Sequence, residues 1–385
     1  MRRTFLLPIV LVGMLAIVGC QTATPPAQTP AQPTPEQPGQ PTPEPQQPTP
    51  PAGEATPAPP PTGGHLQLIR DRGELICGVN GGLPGFSFLE EGTGNWSGFD
   101  VDYCRAVAAA VLGNADAVRF EPLSADDRGP ALQTGLVDVL IRNTTWTVTR
   151  DTSWGLFAPT TFYDGQGMMV NRALEAERTT TPAQTLEDLA GATICVQSGT
   201  TTELNLADQM AAAGVQFTTS VFGTIDETYQ AYEAGTCDAV TSDRSQLVAR
   251  RTTFANPDDH VLLDVVMSKE PLGPVVPLND DEWFNVVKWT VFATFEAEEQ
   301  GITQANVQEM VGSDNPVVQR LLGTEGELGA ALGLDNDWVV NVISAVGNYG
   351  EIYDRNLGPE TPFNLDRGPN RPWTEGGLLY APPYR

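Results

Sequence analysis

The sequence is poor in histidine and in basic residues. Its 385 residues include 2 histidines, His65 and His260, and 21 lysines and arginines against 48 acidic residues. No two cysteines are three positions apart, so a zinc site or a histidine-dependent catalytic triad has almost no material. The formal net charge of −27 argues against nucleic acid or anionic lipid as a partner, because both require a basic surface. We expect no metal or other cofactor.

Apolar runs long enough for a comfortable membrane span are also missing. The N-terminal run, Thr4 to Val18, is too short, and it follows Arg2 and Arg3 in the order typical of a secretory signal. It ends in Ile17-Val18-Gly19-Cys20, which resembles the lipobox of bacterial lipoproteins. The resemblance implies a signal peptide over residues 1–20 and lipidation of Cys20, with a chance buried cysteine as the alternative.

Residues 21–64 contain 16 prolines among Gln, Thr, Ala and Gly, with almost no large apolar side chains. No core can form there, and the composition predicts a disordered tether of polyproline character with a reach of more than ~100 Å. The remaining residues, 65–385, are numerous enough for two lobes with a sizeable core.

Strand-like and helix-like patterns alternate in this remaining part, and the alternation predicts an α/β fold. The first unit has strands at 74–79, 118–122 and 137–141, with helical segments at 100–112 and 129–134. A second unit begins near Gly167, with strands at 167–171, 192–196, 217–222 and 239–241 and helices at 185–189, 203–213 and 226–234.

Four motifs follow one another along this part: Gly78-Val-Asn-Gly-Gly-Leu-Pro-Gly-Phe86, Gly98-Phe-Asp-Val-Asp-Tyr-Cys-Arg-Ala-Val-Ala-Ala-Ala110, Arg142-Asn-Thr-Thr-Trp-Thr-Val-Thr-Arg150 and Gly376-Gly-Leu-Leu-Tyr-Ala-Pro-Pro383. They resemble the general L-amino-acid-binding proteins of polar amino-acid ABC importers, in solute-binding protein family 3. The resemblance implies a type II periplasmic-binding-protein fold, with two mixed-sheet lobes joined by two hinge strands. Lobe 1 would comprise residues 65–166 and 265–385, including a C-terminal extension, and lobe 2 residues 167–264.

The resemblance also implies a function. The protein would be a monomer on the outer side of the cell membrane, periplasmic or at the cell surface, held by the lipid on Cys20. There it would capture free L-amino acids between its lobes and deliver them to the permease of an ABC transporter. Two alternatives stay open: an enzyme of the same fold, such as a dehydratase using Glu203 or Asp243 as acid or base, and a sensor that reports ligand to a receptor.

Four cysteines remain besides Cys20, an even number that suits an oxidising compartment and predicts two disulfides. Within the two-lobe fold, pairing Cys77 with Cys104 and Cys195 with Cys237 would keep each bond inside one lobe. The other two pairings would bridge the lobes and oppose closure.

An amino acid needs a partner for its carboxylate and another for its ammonium group. Arg150 is the candidate for the carboxylate, since a guanidinium can donate two parallel charge-assisted hydrogen bonds. The resemblance places the family's arginine at Arg150, its hydroxyl partner at Thr145 and backbone groups at Asn143, and matches Asp243 to the aspartate for the ammonium group. An exposed, solvated Arg150 is the alternative.

The second lobe should contact the ligand through Gln197, Thr200 and Thr201, although these hydroxyls could merely cap the following helix. Asn80 and Leu83 stand where relatives often have an acidic or polar group and then a stacking aromatic, so strict preference for basic ligands is not expected. Arg128 aligns with a second arginine of acidic-amino-acid binders. A surface ion pair with Asp126 or Asp127 is its alternative role.

Overall fold

The computed structural model describes residues 64–178 and 181–385. The predicted signal peptide, Cys20 and the predicted tether up to residue 63 lie outside this range. In the described part of the chain, every helix is too short or too polar to cross a membrane.

The described residues form strands that are mostly short, as expected for an α/β protein with many loops near a site. In chain order they are β1 Leu75–Val79, β2 Gly82–Leu83, β3 Ser87–Leu89, β4 Trp96–Ser97, β5 Val118–Pro122, β6 Val139–Leu140, β7 Gly155–Phe157, β8 Phe162–Asp164, β9 Gln166–Asn171, β10 Thr193–Gln197, β11 Thr218–Phe222, β12 Ala239–Asp243, β13 His260–Leu262, β14 Glu270–Leu272 and β15 Val275–Pro277.

Helices alternate with these strands and then continue alone to the C-terminus. They are α1 His65–Arg72, α2 Phe99–Leu112, α3 Arg128–Gln133, α4 Val148–Ser153, α5 Arg172–Arg178, α6 Thr201–Ala212, α7 Ile225–Glu233, α8 Arg244–Arg251, α9 Asp281–Glu299, α10 Val307–Met310, α11 Pro316–Leu321, α12 Leu328–Ala331, α13 Trp338–Val346 and α14 Tyr349–Asn356. Short 3-10 turns occur at Glu187–Leu189, Pro257–Asp259, Gly368–Asn370 and Trp373–Glu375.

Local sequence explains where several helices begin and end. Helix α2 has Asp100 and Asp102 in its first turn and ends at Gly113 in the left-handed conformation, which suits the helix dipole and a glycine C-cap. Helix α7 begins with a capping box, in which Thr224 and Glu227 each bond the other's backbone N–H. These signals are local, so the sequence patterns locate both helices to within a residue.

Two five-stranded mixed sheets organise the described residues. The first has the order β5-β1-β6-β15-β7 and the second β11-β10-β12-β9-β13. In each, the first three strands are parallel and the fourth is antiparallel to both of its neighbours. The two sheets confirm the predicted mixed-sheet α/β fold.

The chain passes between the sheets twice, through β8 on the way out and β14 on the way back. These two strands pair antiparallel with each other, with Glu270 opposite Asp164. They are the two hinge strands expected of the fold. The exact residue boundaries predicted for the lobes stay a prediction.

Both predicted disulfides are present. Cys77 of β1 bonds Cys104 of α2, and Cys195 of β10 bonds Cys237, just before β12. Each bond therefore ties a helix or loop to its own sheet, and the lobe-bridging pairings are wrong. The C-terminal helices complete the core of the first sheet, where α13 packs along α2 and Trp283 of α9 is fully buried.

Most predicted strands and helices are confirmed with shifts of one or two residues at their ends. Two differences bear on the site. The predicted strand 137–141 is only two residues long, since the chain turns toward the cleft after Leu140. Strand β12 continues beyond Thr241 to Asp243, so Asp243 lies at the last strand position rather than in the loop beyond.

Candidate functional site

A narrow polar cleft lies where strands of both sheets end. Its empty space is about 340 Å³, including part of its open mouth. Carboxyl ends of parallel strands are the usual ligand-binding edge of such sheets. The cleft is lined by Asn80, Arg128, Arg142, Asn143, Thr145, Gln197, Thr200, Thr201, Thr202, Ser242, Asp243 and Gln246.

The turn after β6 is held by an acid from the first helix. Asn143 has a positive φ of 32°, and its backbone N–H donates to the Asp100 carboxylate over 2.9 Å. Burial raises the pKa of Asp100 to about 6, although the Asn143 hydrogen bond and the Arg142 charge oppose this. Asparagine tolerates the left-handed region better than most residues, so the turn can present the Asn143 side chain to the cleft.

A chain of amide hydrogen bonds crosses the cleft from one lobe to the other. The side-chain amide of Asn80 donates to the side-chain oxygen of Asn143 over 3.2 Å. The side-chain amide of Asn143 donates to the side-chain oxygen of Gln246 over 3.3 Å. Gln246 in turn donates to the Ser242 hydroxyl over 2.6 Å. Because Asn80 and Asn143 belong to loops of the first sheet and Gln246 to α8, this chain joins the two sides in the present, closed arrangement.

Two arginines share one tryptophan as a platform. The guanidinium carbons of Arg150 and Arg128 lie 4.8 and 5.6 Å from the ring of Trp154. Arg150 also donates to the Thr145 backbone carbonyl over 3.1 Å, and Arg128 to the Gly199 carbonyl over 3.3 Å. The platform needs a glycine, since a Cβ atom at Gly129 would lie 2.7 Å from the Trp154 ring.

The arginines are unusually buried for cations. Arg128 is 3% exposed and Arg150 7%, and the Nε of Arg128 has no hydrogen-bond partner within the described ranges. Burial lowers the pKa of Arg128 well below its usual value, and the charges of Arg150 and Arg142 lower it further. Burial likewise lowers the pKa of Arg142 to about 10. An anion entering the cleft would relieve this repulsion.

A carboxylate faces this positive cluster. Asp243 is buried at the end of β12, and its side chain accepts no hydrogen bond from the residues the structure describes, not even from the adjoining helix α8. Burial raises the pKa of Asp243 well above its usual value, and Asp164 and Glu270 raise it further, whereas Arg128 and Arg150 oppose the shift. A cationic group in the cleft would stabilise the ionised form.

The end of β10 and the loop after it provide residues that line the cleft on the side of the second sheet. The Thr200 hydroxyl caps α6 by accepting from the Glu203 N–H over 3.1 Å, so its capping role is real, and it lines the cleft as well. Thr201 donates to Glu270 over 2.9 Å, and Gln197 donates to the Gly223 carbonyl over 3.4 Å. Both roles considered for these residues, capping and facing the cleft, are therefore compatible.

Eight of the ten predicted ligand-binding residues line the cleft, and Leu83 and Arg150 do not. Leu83 is fully buried and belongs to the hydrophobic core. Arg150 lies behind Thr145, to whose carbonyl it donates. The alternatives for the arginines are wrong: neither is exposed, and Asp127 and Asp126 accept from Ser124 and Ser198.

Several residues of the site were missed from the sequence: Arg142, Thr202, Ser242, Gln246, Trp154 and Glu270. Two of them could have been found from the sequence, because Arg142 begins the motif that ends at Arg150 and Gln246 lies one helical turn after Asp243. Glu270 had none, since it reaches Thr145 and Thr201 only through the fold. In the described part of the chain no cluster of acidic residues, histidines or cysteines could hold a metal ion.

Comparison with known proteins agrees with this geometry. The family profile of bacterial extracellular solute-binding proteins, family 3, matches residues 75–300. The chain is 51% identical over 323 residues to the general L-amino acid-binding periplasmic protein AapJ of Rhizobium johnstonii, covering 83% of this chain and 92% of that protein. It is 48% identical over 322 residues to the glutamate/glutamine/aspartate/asparagine-binding protein BztA of Rhodobacter capsulatus, covering 83% and 93%.

A solved structure is similar as well. An ABC transporter periplasmic binding protein from Brucella ovis with glutathione bound is 51% identical, with a TM-score of 0.81, and covers 84% of this chain and 100% of its own. All three relatives are named as binding proteins, which confirms the expectation of a binding protein rather than an enzyme. The chain belongs to the bacterial extracellular solute-binding proteins, family 3.

Proposed function

We propose that this protein captures a free L-amino acid in the cleft between its two sheets and delivers it to the permease of an ABC transporter. One observation carries the proposal: the buried carboxylate of Asp243, which accepts no hydrogen bond from the described residues, faces the buried arginines Arg128 and Arg150. An α-amino acid is a zwitterion, so it offers an ammonium group to the acid and a carboxylate to a guanidinium.

The α-carboxylate is the proposed partner of Arg150. Arg150 is fixed by the Thr145 carbonyl and the Trp154 ring, so its remaining N–H groups need little reordering to donate. Thr145, the backbone of Asn143 and the start of α6 with Thr200 and Thr201 would complete this part of the site, since helix N-termini favour anions. Arg150 does not line the cleft as it stands, and a ligand carboxylate would have to reach it past Thr145.

The ligand side chain is the proposed partner of Arg128. Its Nε has no partner in the described residues and the neighbouring cations lower its pKa, so a second carboxylate would satisfy both the donor and the charge. Asn80 and Gln197 add amides that suit either an acid or an amide side chain. The names of the relatives, which include general amino-acid binding and binding of glutamate, glutamine, aspartate and asparagine, support an acidic or broad preference.

Membrane attachment is the second part of the proposal. The sequence Ile17-Val18-Gly19-Cys20 supports cleavage before Cys20 and its lipidation, with residues 21–64 as the tether to a monomeric binding unit outside the cytoplasm. A tether of this length lets the folded part reach a neighbouring permease while it stays at the membrane. Family membership supports the transporter partnership.

Isothermal titration of the chain from His65 onward tests the binding proposal against each common amino acid. We expect heats of binding with several of them, strongest for acidic or amide ligands. Glutathione belongs in the same series, because the Brucella ovis relative was solved with it bound and its γ-glutamyl end carries the same zwitterion. Binding of glutathione without binding of any free amino acid would overturn the proposal.

A further inference from the structure

Glu270 connects the two lobes from the hinge. It is the first residue of β14 and is 1% exposed. Its Oε2 accepts from the hydroxyls of Thr145, over 2.6 Å, and Thr201, over 2.9 Å. Thr145 belongs to the turn after β6 of the first sheet, and Thr201 begins α6 beside the second. One carboxylate therefore holds a hydroxyl from each side of the cleft.

The other carboxylate oxygen of Glu270 also accepts two hydrogen bonds. Its Oε1 accepts from the Asn205 amide over 3.0 Å and from the Ser268 hydroxyl. An ionised carboxylate can only accept hydrogen bonds, and here four donors surround it. These contacts fix the carboxylate in one orientation, with Oε2 toward the two threonines.

A hydroxyl has one proton to donate and two lone pairs that accept. Thr145 and Thr201 both give their proton to Glu270, and their oxygens lie 3.3 Å apart. What these hydroxyls then offer to the cleft, which both of them line, is lone pairs. Lone pairs attract an N–H donor and repel a carboxylate oxygen.

We propose that Glu270 is a positioning residue that sets the hydrogen-bond polarity of Thr145 and Thr201, so that the cleft selects the ammonium group of its ligand. The two threonine oxygens and Asp243 then form one acceptor set for the three N–H donors of an ammonium ion. This rests on the proposed function and reassigns two hydroxyls: those of Thr145 and Thr201 serve the ammonium group, and the carboxylate is left to Arg150 and backbone N–H groups.

The test compares ligands that differ only in the ammonium group, using the full-length protein. L-Glutamate and glutarate form one such pair, and L-glutamine and glutaramate another. The wild type should bind the amino acid of each pair far more tightly than its deaminated analogue. Glu270→Gln keeps the shape but has one acceptor oxygen in place of two, so the threonine hydroxyls compete with Asn205 and Ser268 for it. We expect it to reduce this preference by about tenfold or more, mainly through weaker amino-acid binding.

Companion variants separate this role from a merely structural one. Thr145→Val should reduce the preference, and Thr145→Ser should retain it. The double variant of Thr145→Val with Glu270→Gln should lose less than the sum of the two single losses, because both changes act through the Thr145 hydroxyl and Glu270→Gln acts through Thr201 as well. Glu121→Gln is the control, because Glu121 pairs with Arg119 and lies outside the cleft lining, and it should keep the wild-type preference. Thermal melting identifies any variant that fails to fold, and the Thr145 variants decide the question if Glu270→Gln is such a case.

The outcomes divide cleanly. Equal weakening of amino acids and deaminated analogues in folded Glu270→Gln, or an unchanged preference in Thr145→Val, overturns this inference and leaves the proposed function standing. A wild-type protein that binds no amino acid in the titration overturns the proposed function and this inference with it. A preference lost in Glu270→Gln and Thr145→Val, and kept in Thr145→Ser and Glu121→Gln, supports it.

Discussion

A Cβ atom at Gly199 would lie 1.9 Å from the Oδ1 atom of Asp126. Gly199 precedes α6 on the second lobe and has a φ of +68°, whereas Asp126 precedes α3 on the first. Ser198 beside it donates to Asp126 over 3.1 Å, and Arg128 donates to the Gly199 carbonyl. The two lobes thus meet here, and a methyl group at Gly199 would displace the exposed Asp126 carboxylate from this contact.

Substituting Gly199→Ala should therefore oppose closure. We expect amino-acid affinity to fall severalfold, because the exposed Asp126 side chain must turn away and the hydrogen bond from Ser198, worth about 0.5–1.5 kcal/mol, is lost. Gly191→Ala is the matched control, since Gly191 has a φ of +79° and nothing near its Cβ position. Titration gives the affinity and small-angle X-ray scattering the closure, and equal effects of the two substitutions would show that backbone strain, not closure, is responsible.

Arg150→Ala should abolish binding of every amino acid. A ligand carboxylate buried without its main partner would cost ~3–5 kcal/mol, whatever the ligand side chain. Arg119→Ala provides the control, because Arg119 is an exposed arginine paired with Glu74 and Glu121. Titration of both variants decides the matter, and a folded Arg150→Ala that binds within about threefold of wild type contradicts the carboxylate role.

Arg128→Ala should weaken acidic ligands selectively. Glutamate and aspartate would lose a charge-assisted pair worth roughly 1.5–3 kcal/mol, whereas alanine and glutamine would not. The measurement is the ratio of affinities within one titration series. Equal losses for all ligands would instead mean that Arg128 binds the common backbone atoms or supports the cleft in general.

Two buried acids, Asp243 and Asp164, predict that the stability of the ligand-free protein depends on pH. Burial raises the pKa of Asp243 well above its usual value of 3.8, and that of Asp164 to about 6. A raised pKa in the folded state means that the folded protein holds the proton of this acid more tightly than the unfolded chain does. The free energy of unfolding of the ligand-free protein therefore decreases as the pH rises from about 4 through the folded-state pKa. Asp243→Asn should therefore raise the melting temperature of the ligand-free protein more at pH 8 than at pH 5.

The affinity for amino acids should instead increase as the pH rises. An ammonium group needs the ionised form of Asp243, so the affinity of the wild type for amino acids should fall on acidification from pH 8 to pH 5. Melting scans with and without ligand measure both effects on one sample. A stabilisation by Asp243→Asn that does not change with pH would contradict the raised pKa.

Cys20→Ser should release the protein from membranes and leave ligand binding intact, because residues 21–64 separate the lipid site from the folded part. Membrane fractionation measures release, and mass spectrometry of the N-terminal peptide measures lipid. Full membrane retention of the variant, with no lipid mass on the wild-type peptide, would contradict lipidation of Cys20.

The sequence by itself determined the order of strands and helices and the polar side chains at strand ends. Hydrophobic runs, capping residues and glycine stops act over a few residues, so the bounds of α2 and β5 could be predicted closely. The disulfide pairs followed once two lobes were assumed, because each bond stays within one sheet region. The acidic character followed from composition alone.

Only the tertiary structure decided which of these side chains meet. Leu83 looked like a ligand contact from its motif, but the facing of a two-residue strand is set by what packs against it, and that side chain is in the core. Glu270 reaches Thr145 across 125 residues of sequence, a separation at which no local pattern operates. Hydrogen-bond polarity in the cleft depends on that long-range contact, because a threonine's proton goes to whichever acceptor the fold brings within reach.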